Sequence, residues 1–322
     1  ISIPAIRDRV AQGALRLILE PIFEADFSDS SYGARPGRCA HEAIEKVCMG
    51  LRQGRHRVVD VDLSRYFDTI RHDRMLAKVA RRVVDGDVLA MVKQFLKSTG
   101  DRGVPQGSPL SPLLANLALD DLDHALDRGG DTITYARYLD DMVVLAADTP
   151  KGRQWADRAL ERIRQEAEAI GVSLNAEKTR LVTITDPGAS FAFLGFEFRW
   201  ERSPRTGRWY ASRVPRPKKV IAILREVGEI LRRSCHLSMQ AAVAQVNPVL
   251  RGWVNYFRVG NSGRAFDKVK YEVDRKVRRL AAKKCKRKGF GWKRWSSAVV
   301  YGTWGLFRDY RVVYWSAKAC PG

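Results

Sequence analysis

Apolar positions along the chain change their period several times, and the changes mark the elements. Residues 6–19 carry apolar side chains at helical spacing, which predicts a helix ended by Pro21. A loop rich in turn formers follows from Ser28 to Arg38, and a second helical pattern covers about 41–51. At 57–63 the period becomes two, with Val58, Val59 and Val61 around Asp60 and Asp62, which predicts a strand. Helical spacing returns over 74–96. The breakers Gly103, Pro105, Gly107 and Pro109 then open a helix over about 111–126. Two short β-rich runs, 132–138 and 142–147, flank Leu139, Asp140 and Asp141, a hairpin with two carboxylates at its turn. A helix over 152–170 and strand-like pieces at 178–184 and 191–200 complete the first part. Residues 201–217, with Pro204, Gly207, Pro215 and Pro217, read as a linker. Helical periodicity then takes over to about residue 290.

Charge divides the chain at the same place. Residues 1–200 hold 28 Lys and Arg against 29 Asp and Glu, whereas 201–322 hold 29 against 7, so the whole excess of +21 lies at the back. A near-neutral front and a strongly basic back suggest chemistry in one part and a grip on a polyanion, nucleic acid above all, in the other. The 322 residues suffice for about two domains. No apolar run reaches 18 residues and the start lacks a signal core, so membrane insertion and secretion are not expected. Cys39, Cys48, Cys235, Cys285 and Cys320 are scattered and share no zinc-ligand spacing with the five histidines, which fits reduced thiols in a cytoplasm.

The candidate chemistry lies in carboxylates at strand ends. A lone Asp at a strand end is usually a solvated turn residue. Asp62 on one strand and Asp140-Asp141 at a hairpin turn together form a set that can take hard cations, which prefer oxygen ligands. Two such ions can activate an attacking hydroxyl and stabilise the leaving oxygen of a phosphoryl transfer.

Ordered motifs sharpen that reading. Ser31 to Arg38, Val61 to Asp68, Val104 to Asn116, Arg137 to Asp141, Leu174 to Thr179, Phe193 to Phe196 and Leu250 to Phe257 together resemble the reverse transcriptases of group II introns, also called maturases, over almost the whole chain. The resemblance implies an α+β right-hand polymerase, with fingers and palm over 1–200, a small antiparallel sheet backed by helices. A linker over 201–217 and a helical thumb, the maturase domain X, over 218–322 follow. It implies metal binding by Asp62, Leu63, Asp140 and Asp141, with two Mg²⁺ ions that Mn²⁺ can replace. Leu63, Phe67, Gln106 and Tyr138 become nucleotide contacts, Phe67 as the gate that excludes a 2′-hydroxyl. Lys178 becomes the general acid for departing pyrophosphate. The implied activity is RNA-directed DNA polymerisation, with dNTPs, a DNA or RNA primer and an RNA template. Binding of group II intron RNA to assist splicing and mobility accompanies it, in a bacterial cytoplasm. A group II-like enzyme turned to DNA repair or phage defence, and an RNA-folding maturase with a vestigial site, remain open beside it.

The nucleic-acid surface is expected at Arg35 and Arg38 in the fingers loop and along 275–288, where Arg275, Lys276, Arg278, Arg279, Lys283, Lys284, Lys286, Arg287 and Lys288 occur with no acid among them. Trp292, Trp295, Tyr301, Trp304, Phe307, Tyr310, Tyr314 and Trp315 follow, for the most part a small helical core, with stacking on unpaired bases the alternative role. Two residues depart from the family pattern: Leu139 stands where Ala is usual, and Ala34 where Phe is usual. The chain also starts inside the family's first conserved block, so basic fingers residues are expected upstream, and any second-strand cleavage is expected to come from elsewhere or be dispensed with.

Overall fold

The computed structural model describes residues 5–313; Ile1 to Pro4, the aromatics Tyr314 and Trp315, and Cys320 lie outside the described residues. The chain divides into two units, one of residues up to Leu194 with Arg202–Ala211, the other of Gly195–Glu201 and the described residues from Ser212 on.

The first unit contains α1 (Ile6–Glu24), α2 (Ala40–Arg52), β1 (Arg57–Ser64), α3 (Tyr66–Thr69), α4 (His72–Ala80), α5 (Gly86–Lys97) and α6 (Ser111–Asp127). The hairpin β2 (Ile133–Tyr138) and β3 (Asp141–Ala146) follows, then α7 (Pro150–Ala169), β4 (Ser173–Leu174), β5 (Arg180–Thr183) and β6 (Phe191–Phe193). The sheet runs β2-β3-β1-β4, with β5 also paired to β1, and each of these pairings is antiparallel. Its two central strands bury Val58, Val59, Val61, Met142, Val143, Val144 and Leu145, apolar on both faces as strands covered on both sides must be. Ala156, Ala159, Ile163 and Ala167 of α7 and Leu113 to Leu126 of α6 pack into the same core. Small residues on α7 let the helix lie close to the sheet.

Several expected boundaries move. α1 runs through Pro21, because Leu15, Leu19 and Phe23 anchor one buried face while the proline ring stays exposed. The helical segments over 74–96 resolve into α4, which starts at His72, and α5, which ends at Lys97 and is capped by Asp85 accepting from the N–H groups of Asp87 and Val88 at 2.8 and 3.1 Å. The 191–200 strand breaks where Leu194 and Gly195 turn left-handed at φ 49° and 79°. The 201–217 stretch is no linker: it holds the end of β7 (Phe196–Arg202), a tight turn and β8 (Trp209–Pro215), which pairs with β7. Pro204 and Gly207 mark the hairpin turn, and Pro215 and Pro217 mark a strand end and the next helix start. Turn formers look alike in a linker and in a hairpin.

Asp120 on α6 shows how burial weighs on the first unit. Its Oδ1 is buried with no hydrogen-bond partner among the described residues: His124 Nε2, 3.5 Å away, bonds instead to the Asp26 carbonyl at 2.9 Å. Burial, which outweighs the pull of His124, pushes this carboxyl up to about 6. An acid raised in the folded state costs stability above its folded pKa and not below its unfolded one. Asp120→Asn should therefore raise stability at pH 7.5 by about 1 kcal/mol, with the gain gone at pH 3.5; chemical denaturation at the two values checks it. Equal gains at both would contradict the burial argument.

Beyond its share of β7 and β8, the second unit is helical: α8 (Pro217–Arg233), α9 (Met239–Phe257) and α10 (Gly263–Lys284), followed by a π-type turn at Ala298–Thr303. Val220, Ile223, Val227 and Leu231 meet Val243, Val246 and Leu250 of α9 and Val269, Val273 and Val277 of α10 at helical spacing. Ser238 caps α9 by accepting from the N–H of Ala241 at 3.2 Å. Trp295, Tyr301, Trp304, Phe307 and Tyr310 pack against this core, whereas Trp292 is exposed. Among the described residues, no helix is long and apolar enough to cross a membrane.

Candidate active site

The strand register brings the three candidate carboxylates to one sheet edge. Asp62 of β1 stands directly opposite Asp141 of β3, and Tyr138 of β2 stands opposite Asp141 on its other side. Cross-strand partners share a face, so Asp62 and Asp141 project together, with Asp60 two residues back on that face. Asp140 occupies the hairpin turn beside them.

The surroundings of Asp141 are acidic and dry. Its Oδ2 accepts the backbone N–H of Leu194 at 3.0 Å. Burial pushes its carboxyl up to about 6; the Leu194 N–H opposes the rise, and the neighbouring charges of Asp60, Asp140 and Asp62 add to it. Asp60 is tied to Arg180 at 3.1 Å. Lys178 lies at the same edge, its Nζ 3.2 Å from Asp62 Oδ2, with both side chains solvent-accessible. Leu63 faces the core and pairs through its backbone with Leu174.

Phe67 and Gln106 are also brought together. The backbone N–H of Val104 donates to the Phe67 carbonyl at 2.7 Å, and the Gln106 amide donates to Asp68 Oδ1 at 3.0 Å. Gly103 permits this docking. It is left-handed at φ 87°, and a Cβ there would stand 2.9 Å from the carbonyls of Phe67 and Asp68. Phe67 is half-buried with its ring edge-on to Tyr66, which is itself buried and donates to the Ala115 carbonyl.

This constellation can be set against known proteins. Residues 1–198 match the reverse transcriptase (RNA-dependent DNA polymerase) family, and residues 220–298 match the group II intron, maturase-specific domain. The chain belongs to the reverse transcriptase family. Protein YkfC of Escherichia coli (strain K12) is 30% identical over 268 residues, which cover 68% of this chain and 68% of YkfC. The group II intron-encoded protein LtrA of Lactococcus lactis subsp. cremoris is 34% identical over 132 residues, 38% of this chain and 22% of LtrA. Among solved structures, telomerase from Candida albicans shares a TM-score of 0.47 at 14% identity, covering 92% of this chain and 56% of that one.

Reverse transcriptases use divalent metals, and the side-chain donors at this edge fit one: they are carboxylate oxygens, close enough for the charges of Asp60, Asp140 and Asp62 to add to the burial that raises Asp141. Among the described residues, no three Asp, Glu, His or Cys side chains stand close enough together to form a finished ligand set. Lys178 supplies part of the countercharge, on Asp62.

Two of the expected nucleic-acid contacts are corrected. Arg35 is buried; its guanidinium binds Glu24 at 2.8 Å and the carbonyls of Ser28 and Ser31, which folds the fingers loop. Arg278 is buried too, paired with Asp274 at 2.6 Å and set 4.5 Å from the Trp292 ring centroid. The remaining expected cations differ in freedom. Arg38 is held by Glu42 at 2.9 Å and Asp29 at 3.2 Å, and its guanidinium covers the Tyr32 ring. Arg275 pairs with Glu272 at 2.8 Å, Lys276 is half-buried, and Lys284 donates to the carbonyls of Cys235 and Leu237. Arg279, Lys283, Lys286, Arg287 and Lys288 are exposed. Tyr271 and Trp292, both exposed, lie nearly parallel beside them with centroids 6.0 Å apart.

The sequence reading did not single out Asn116 or Asp123 of α6 or Leu194 as working residues. Asn116 and Leu194 lay inside motifs that carry the family resemblance, but nothing in the sequence pairs Asp123 with its partner. Both departures from the family pattern fall at left-handed positions, Ala34 at φ 55° and Leu139 at φ 56°. The Leu139 side chain lies against Gly33.

Proposed function

We propose that this reverse transcriptase extends a DNA or RNA primer with dNTPs on an RNA template in a bacterial cytoplasm, and that its maturase-specific domain binds group II intron RNA to assist splicing and mobility. The observation that carries the polymerase reading is the direct pairing of Asp62 with Asp141, with Asp140 in the adjoining turn. In this reading two Mg²⁺ ions, which Mn²⁺ can replace, are held by Asp62, Leu63, Asp140 and Asp141; when bound, they lower the pKa of the primer hydroxyl and neutralise the phosphates. The residues of the chain do the rest. Asp141 is fixed by the Leu194 N–H, so its carboxylate is oriented before substrate arrives. Tyr138 flanks the nucleotide, and Gln106 is presented by the loop docked on Phe67. Lys178 Nζ delivers a proton to the departing pyrophosphate.

Phe67 acts as the gate against a 2′-hydroxyl. Phe67→Val should lower the dNTP-over-rNTP preference in kcat/KM by about 10- to 100-fold, measured by single-nucleotide incorporation on an RNA template. A preference left intact would assign Phe67 to the core alone.

The maturase-specific domain reads as an electrostatic grip. Replacing Arg279, Lys283 and Arg287 together by Ala should reduce the slope of log K against log salt concentration for structured RNA by about 2, since each phosphate contact contributes about 0.7. Arg278→Ala, by contrast, should destabilise the protein through Asp274. An unchanged slope in the folded triple variant would move the RNA surface elsewhere.

A further inference from the structure

The strongest arrangement outside the carboxylates is a buried charge directly behind them. Arg137 sits on β2, two residues before Leu139, and neither its side chain nor that of Asp123 meets solvent. A guanidinium presents five N–H donors in a rigid fork, and each of the five has its own acceptor. Nε donates to Asp123 Oδ1 at 2.7 Å, and Nη2 to Asp123 Oδ2 and to Ser31 Oγ at 2.8 Å. Nη1 donates to Asn116 Oδ1 and to the Leu139 carbonyl, both at 3.0 Å.

The acceptors come from three places: α6, the fingers loop and the catalytic turn. The backbone repeats the connection, with Arg137 N donating to the Ser30 carbonyl at 2.9 Å and Tyr32 N to the Arg137 carbonyl at 2.8 Å. Asn116 closes the circuit by donating to the Gly33 carbonyl at 2.7 Å. Gly33 is pressed so closely to the turn that a Cβ there would stand 2.5 Å from Leu139 N. Leu139 itself is held left-handed, a conformation that costs a branched side chain free energy and persists only where its surroundings impose it.

A buried ion pair is weak evidence for stability, since apolar residues of similar size often serve as well. What five directed bonds supply is orientation. We propose that Arg137 is a positioning residue for polymerisation: through the Leu139 carbonyl and Ser31 it locks the fingers loop to the turn, and so sets the direction in which Asp140 and Asp141 project. It touches no substrate. The proposal rests on the reading of Asp140 and Asp141 as catalytic. Lysine cannot substitute, because one ammonium offers three donors and no planar fork.

The test is single-turnover dNTP incorporation on an annealed RNA template and primer, at varied dNTP and Mg²⁺, for Arg137→Lys, Asn116→Ala and Gly33→Ala. Asp140→Ala is the control, and the folded fraction of each is measured by circular dichroism at the assay temperature. Folded Arg137→Lys and Gly33→Ala should lose about 100-fold in maximal rate, the order expected of a 1 Å misplacement, with dNTP half-saturation and RNA affinity little changed and with more Mg²⁺ needed. If Arg137→Lys does not fold, Gly33→Ala and Asn116→Ala carry the test. A wild-type maximal rate in any folded variant of this set, or a loss that only follows the unfolded fraction, overturns the proposal. Extension surviving in Asp140→Ala sinks the catalytic reading instead, so the two failures are told apart.

Discussion

Asp141→Asn is expected to cut primer extension by about 10³-fold or more and, in the same molecule, to make the metal-free protein more stable. The two effects share one cause. Asp141 carries a charge that burial and three neighbouring carboxylates oppose, so its carboxyl is pushed up to about 6 from 3.8. An acid raised in the folded state imposes its full cost above the folded pKa and none below the unfolded one. With EDTA present, the variant should gain about 1–2 kcal/mol at pH 7.5, and the gain should shrink as pH falls from 6 towards 4. Asn keeps the size and still accepts the Leu194 N–H, so the lost activity is a loss of charge rather than of packing. Salt-sensitive RNA binding should persist, since the exposed cations of the maturase-specific domain are untouched. A variant that loses activity yet gains nothing at pH 7.5 would show that neither burial nor the neighbouring carboxylates oppose the Asp141 charge in the folded protein.

Asp123→Ala is expected to destabilise the first unit by about 3–5 kcal/mol, a large share of the stability of an ordinary domain. The substitution leaves the Arg137 guanidinium with no solvent access and without the Asp123 carboxylate it is paired with, and it also removes the acceptor of the Tyr135 hydroxyl, 2.7 Å away. Combining it with Arg137→Met should recover much of the loss, because the penalty lies in an unpaired buried charge. Urea denaturation of the two single variants and the double tests this. Strict additivity would mean that the pair is not coupled.

Much of the candidate site's geometry was legible in sequence because it follows local rules. Alternation along 57–63 put Asp60 and Asp62 on one face, and the apolar runs around Leu139-Asp140-Asp141 required a tight turn. What those rules leave out is pairing at a distance. Nothing between residues 123 and 137 announces that Asp123 and Arg137 meet in the core, and nothing at Leu194 announces that its N–H reaches Asp141. Arg278 is a different miss, since a signal existed. Asp274 lies one helical turn before it, and Val273 and Val277 set the buried stripe beside it, so an inward ion pair could have been read from spacing. The 201–217 stretch failed for a third reason: prolines and glycines report chain reversal without saying whether strands flank it.

Primer extension with dNTPs and Mg²⁺ on an RNA template, run for the unaltered chain and for Asp140→Ala with RNA binding recorded in parallel, tests the polymerase role of the carboxylates most directly. The unaltered chain should extend the primer unless EDTA is present, Asp140→Ala should not, and both should bind RNA equally. Extension that survives in Asp140→Ala, or its absence in folded, RNA-binding, unaltered protein at every Mg²⁺ concentration, would contradict that role.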